Sequence, residues 1–186
     1  MDAFSYLSVL LSVIIGLTIT QILQGYRVLL LHRARIKLAL PPLIWSALIL
    51  VIATQMWWAS FGLADHSDWN FAAFGEILLQ TVMVYMMSAL VLPDAPADTP
   101  MDLAEHYARE RVPFFLFAVA GGVTSILKDL TIDGYLPTPA NLAFHAVYIG
   151  GNIAAIFVRD RRFHIAHALF FALAFGIYIA LLFAHL

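Results

Sequence analysis

Cysteine is absent from this 186-residue chain. That excludes disulfides, Cys-ligated zinc and iron–sulfur clusters. Charge is scarce as well: only 12% of the residues are Asp, Glu, Lys or Arg, about half the fraction of an ordinary soluble domain. The formal net charge of −2 offers no basic surface to nucleic acid, which is excluded as a partner. The ~10-residue alternating segments of a membrane β-barrel are missing. A Ser/His/Asp arrangement, a His-Glu-x-x-His run and a paired-acid motif are missing too, so nothing points to an enzyme.

What is present is apolar sequence in long runs. The chain is 62% hydrophobic, with a mean hydropathy of +0.87. Its apolar residues fall into six blocks, at 3–31, 38–62, 69–92, 113–131, 138–158 and 163–186. Each block is near or above the ~20 residues that cross a bilayer as a helix. The fold expected is an all-α integral membrane protein, one domain over 1–186, with six transmembrane helices in one bundle. The N-terminal stretch does not read as a signal peptide, because Asp2 stands where a basic region belongs and the apolar run is too long.

The basic residues give an orientation. Arg27, Arg33, Arg35 and Lys37 surround the first connection, Arg109 and Arg111 the third, and Arg159, Arg161 and Arg162 the fifth. Lys128 alone falls on the other side. A positive-inside bias of this strength predicts non-cytoplasmic N- and C-termini, in a bacterial inner (plasma) membrane. Lys128 is followed by Asp129, and neighbours in sequence do not face each other on a helix, so the lysine is expected to snorkel outward.

Polar residues inside the spans are the functional signal, since each must face protein or water. Span 1 carries Ser5, Ser8, Ser12, Gly16 and Thr20 at helical spacing, a stripe suited to close helix packing. Span 2 ends on Gln55 and the pair Trp57-Trp58, which with Trp69 reads as an aromatic belt. Span 3 holds Glu76, the one carboxylate well inside an apolar block, with Gln80 a turn later. Span 4 has Ala118 and Gly122 at small-xxx-small spacing and Thr124 beyond them; span 5 has Gly151 and Ala155. Span 5 also carries Asn141, His145, Tyr148 and Asn152 within about 60° of one another on a helical wheel. Counting ~1.5 Å per residue from the outer helix ends puts Gln55, Glu76, Thr124, His145 and Ser12 in one layer, ~10 Å below the outer surface.

Between spans 3 and 4, Thr99 before Pro100 reads as an N-cap. A short interfacial cytoplasmic helix is expected at 101–111, with Glu105–Arg109 and His106–Glu110 pairs, and Pro113 separating it from span 4. Thr20–Leu23 echoes Thr124–Leu127, and Leu40–Pro42 echoes Leu136–Pro139, which raises a 3+3 inverted repeat. His164 and His167 near the start of span 6, and the loop Asp65–Asp68, are weak metal candidates; for the two histidines a solvated helix start is the plainer reading.

Three functions fit. The first is a channel or transporter for a cation, protons or a small polar solute, acting as a homo-oligomer, with Glu76, Gln80, His145, Tyr148 and Asn152 lining the path. The second is an accessory or scaffold protein that assembles with partner membrane subunits. The third is a redox subunit with haem b held by histidines at one level.

Overall fold

The computed structural model describes residues 3–64, 69–94, 100–132 and 134–183. The Asp65–Asp68 loop and Thr99 lie outside them. Among the described residues six helices are long and apolar enough to cross a membrane: α1 (Ala3–Leu31), α2 (Leu40–Ala59), α3 (Phe71–Val91), α4 (Leu103–Ile132), α5 (Pro139–Phe157) and α6 (Arg161–Phe183). The chain is therefore an all-α bundle of membrane-spanning type, as expected. Local chemistry starts the helices. Two prolines sit in the first turn of α2, where a missing N–H costs nothing. The Asn70 side chain accepts from the Ala73 N–H at the start of α3, and Thr138 accepts from the Asn141 N–H before Pro139 opens α5.

The helices alternate in direction, and their arginine-bearing ends gather at one end of the bundle, here the basic end. Gln21 of α1 donates to Asp94 just after α3 at 2.6 Å, Tyr26 of α1 meets Ser46 of α2 at 3.0 Å, and Tyr107 of α4 meets His164 of α6 at 3.0 Å. Two short strands lie at this end. β1 (Ile36–Lys37) pairs in parallel with β2 (Met101–Asp102), joining the first and third connections. Lys37 reaches Asp102 at 2.9 Å, and its ammonium holds that carboxyl below the usual carboxylate range.

The interfacial helix is corrected. No separate element spans 101–111: β2 takes the first two residues, Asp102 caps the Ala104 N–H, and α4 then runs unbroken through Pro113. Proline removes one hydrogen bond to the preceding turn, which a long helix packed against its neighbours tolerates. At 30 residues α4 is about 45 Å long, so it exceeds a ~30 Å hydrocarbon core by about a third of its length. The expected i,i+4 pairs differ as well. Arg109 contacts Glu110 at 2.8 Å and the Nδ1 of His106 at 3.2 Å, while the His106 Nε2–H donates to the Leu90 carbonyl. His106 thus ties the end of α3 to the start of α4.

The α1 stripe is also corrected. Ser12, Gly16 and Thr20 face outward, and the helix buries Leu7, Leu11, Ile15, Thr18 and Ile22 instead. The exposed hydroxyls need no partner, because Ser8 and Ser12 donate to the carbonyls of Ser5 and Val9 in their own helix. Larger apolar residues supply more contact area, so they win the inner face. One glycine of α1 does serve packing. A Cβ on Gly25 would stand 2.7 Å from the Cβ of Leu92, an atom fixed to the backbone. Gly25→Ala should therefore cost about 1–3 kcal/mol, read as a lower melting temperature in detergent. Gly16→Ala, with nothing within 4 Å of the added methyl, should be neutral or better. Equal effects at the two sites would contradict this packing.

Candidate functional site

The α4–α5 contact builds the site. Gly122 has no side chain, so α5 comes close: an added Cβ would meet Ile149 at 2.9 Å and the Tyr148 ring at 3.0 Å. With Gly122 level with Tyr148 and the helices antiparallel, Ser125 falls level with His145 and Asp129 with Asn141. The polar seam of α5 thus faces a polar seam of α4. Between them and α1, α2, α3 and α6 lies a cavity of about 360 Å³. Along α4 its wall runs about 10 Å from Asp129 to Gly122, in the half of the bundle remote from the arginines.

Five of the nine polar residues expected to act together line this cavity: Gln55, Gln80, Asn141, His145 and Tyr148. Gln55 and Gln80 hydrogen-bond to no other described residue. The His145 Nδ1–H donates to the Asn141 carbonyl at 2.8 Å, which leaves Nε2 with its lone pair free. Amides that both donate and accept therefore share the space with an imidazole that accepts.

The other four stand apart from the lining. Ser12 is exposed on the outer face of α1. Thr124 is buried but donates to the Gly121 carbonyl of its own helix, and its neighbour Ser125 takes the place in the wall. Asn152 is fully buried below the cavity, its Nδ2 donating to the Tyr148 carbonyl while its Oδ1 has no partner. Glu76 is half-buried, with an enclosed Oε1 that makes no hydrogen bond among the described residues. Met83 lies against Gly121, so two turns further out on each helix Glu76 comes level with Lys128.

Lys128 and Asp129 were expected to diverge. They meet instead, Nζ to Oδ1 at 3.5 Å, and both side chains line the cavity. A shared concave wall lets two long side chains converge although their Cβ atoms do not. The sequence held a signal for this wall that the polar layer overlooked. Gly122, Ser125 and Asp129 stand at i, i+3 and i+7, one helical face.

The histidines of α6 are corrected too. His164 and His167 are not at a solvated helix start: they are 4% and 8% exposed. Both nitrogens of His164 are engaged, Nε2–H donating to the Val158 carbonyl at 2.9 Å and Nδ1 accepting from the Tyr107 hydroxyl at 3.0 Å. It has no lone pair to give a metal or haem iron. His167 packs among Trp45, Phe115, Phe163 and Phe171. His145 stands about 9 Å away along the axis, counted over the six residues to Gly151. Among the described residues no group of three or more His, Asp or Glu side chains could hold a metal ion. No protein-family model, curated protein or solved structure matches the chain.

Proposed function

We propose that this protein is a small membrane transporter that takes a small polar solute or cation into the cavity at the end of the bundle opposite its arginines. By the positive-inside rule that end, with both termini, lies on the non-cytoplasmic side of a plasma membrane. One observation carries the reading. Gln55 from α2, Gln80 from α3 and the Nε2 of His145 from α5 all face one cavity without a side-chain partner among the described residues. Packing between helices is served by polar groups that bond to each other or to their own backbone. The two amides do neither, and with the free Nε2 of His145 they suit a guest that both donates and accepts.

The carrier is favoured over the open channel because aromatic rings close the bundle beneath Tyr148. Below it Phe171, Trp45, Phe114 and Phe115 close the bundle toward the basic end. Passage then requires α5 and α6 to move against α2 and α4. An inverted repeat of α1–α3 and α4–α6, each with a proline-opened middle helix, fits such alternation. Asp129 meets the Lys128 ammonium at the rim and Glu76 stands level with it, an acidic balance that favours a cation or a zwitterion over an anion.

The test is flux in liposomes carrying the purified protein, screened with Na+, K+, urea and glycerol. Ser125→Phe fills the cavity from α4 and should cut the flux at least tenfold, while Ser125→Ala should leave it unchanged. Wild-type flux in the Phe variant would overturn the cavity as the path. Absence of flux for every probe, with recovery of the protein in a larger membrane complex, would make it an accessory subunit instead.

A further inference from the structure

We infer that His167 is the proton-binding residue of an interrupted relay that joins the cavity to the basic end of the bundle. The inference rests on the cavity being the entrance of a transport path. Both ring nitrogens of His167 are enclosed and neither has a hydrogen-bond partner among the described residues. The Gly151 carbonyl faces the ring without reaching hydrogen-bond geometry. A neutral imidazole carries one N–H donor and one acceptor, and burying both unpaired is unfavourable. Phenylalanine would fill this site without that cost, so packing alone does not call for histidine.

An aromatic cage encloses the ring. Four aromatic side chains stand around it, with centroids at 4.8 Å (Phe171), 5.4 Å (Phe115), 5.6 Å (Trp45) and 5.6 Å (Phe163). All lie within the ~6 Å over which an aromatic ring attracts a cation. Such a cage offsets part of the cost of an imidazolium away from water. The α5 backbone is open toward it at Gly151, where a Cβ would come 3.4 Å from Nε2.

Other titratable groups continue the line on both sides. Toward the cavity, Tyr148 of α5 packs edge-on against Phe171 at 5.3 Å and lines the cavity itself. Toward the basic end, His164 sits one turn back on α6 and is bonded to the Tyr107 hydroxyl of α4. Arg111 of α4 and Asp160 before α6 act on that pair. From α2 only Trp45 faces the ring, and that helix carries no titratable side chain. No carboxylate neutralises His167 in place, so the charged ring is a transient state of the path.

Phe171 is the interruption, since it touches both Tyr148 and His167. When it moves, a hydronium from the cavity gives its proton to the lone-pair nitrogen of His167. The proton on the other nitrogen then leaves to water on the His164 side. The ring ends neutral in its second tautomer and resets by rotation, so one proton enters and one leaves. Histidines inside membrane helices serve relays of this kind.

The full chain is reconstituted into liposomes loaded with a pH-sensitive dye, and an inward proton gradient is applied under a valinomycin-clamped potential. The lumen should acidify faster than in protein-free liposomes, and His167→Phe should slow protein-dependent influx at least tenfold while the protein elutes and melts as a folded species. Should His167→Phe misfold, His167→Gln carries the same expectation, because its amide does not take up a proton in this range. Wild-type proton influx in the folded variant overturns the relay, as does wild-type protein that moves solute but no protons. Influx that depends on His167 in protein that moves no solute keeps the relay and overturns the solute reading.

Discussion

Trp45→Ala is expected to cost about 3 kcal/mol of bundle stability, measured as a shift in unfolding by SDS in mixed micelles. Trp45 is fully buried. Its ring contacts Phe114 at 5.4 Å, Phe115 at 5.7 Å, His167 at 5.6 Å and Phe171 at 6.1 Å, so one side chain joins α2 to α4 and α6. In a bilayer little of this comes from leaving water, because lipid tails are as apolar as the bundle interior. What is lost is dispersion and aromatic pairing, with a void that neighbours on three helices cannot fill together. That places the cost at the low end of the range for deleting a buried indole. Trp45→Phe should keep most of the contacts and lose about half as much. An alanine variant within 1 kcal/mol of wild type would show that this cluster is not the core.

His164→Phe should be about as damaging, near 3 kcal/mol, although the new ring is apolar and of similar shape. It removes two hydrogen bonds and leaves the Val158 carbonyl and the Tyr107 hydroxyl unpaired in the interior. Tyr107→Phe, which orphans only the Nδ1 of His164, should cost about half of that. His167, three residues on and equally buried, gives the contrast. Its nitrogens are already unpaired, so His167→Phe should be neutral or stabilising in the same melting experiment. Two histidines on one helix face thus respond oppositely to one substitution. If His167→Phe destabilises as much as His164→Phe, the unpaired nitrogens have partners and the relay loses its basis.

The helices were legible because a bilayer allows few answers. Backbone groups have no water to bond, so a run of ~20 apolar residues becomes a helix regardless of its detailed order. The span ends moved most where that constraint fades. Pro113 looked like a boundary, but the residues before it continue the helix beyond the hydrocarbon, where β2 and the His106 contact to Leu90 hold them. Two members of the polar layer, Gln55 and His145, were legible for a similar reason. Depth follows from counting residues, so Gln55 and His145 were placed at one level. Direction of facing does not, and Ser12 and Thr124, at the right depth, turn to lipid and to their own backbone instead.

By itself the sequence determined that this chain is a helical membrane bundle, which end carries the arginines, and that the seam Asn141–His145–Tyr148 shares one face. Those properties depend on composition and on the 3.6-residue period, which are local. The tertiary structure alone decided which faces meet. It put Ser125 and Asp129 opposite that seam, brought Lys128 onto Asp129, left Glu76 beside the cavity and not in it, and buried His164 and His167 in aromatic packing. The physical reason is that a helix shows several faces of nearly equal apolarity. Where small residues let two backbones approach, as Gly122 does beneath Tyr148, the summed contacts of the whole interface choose among them.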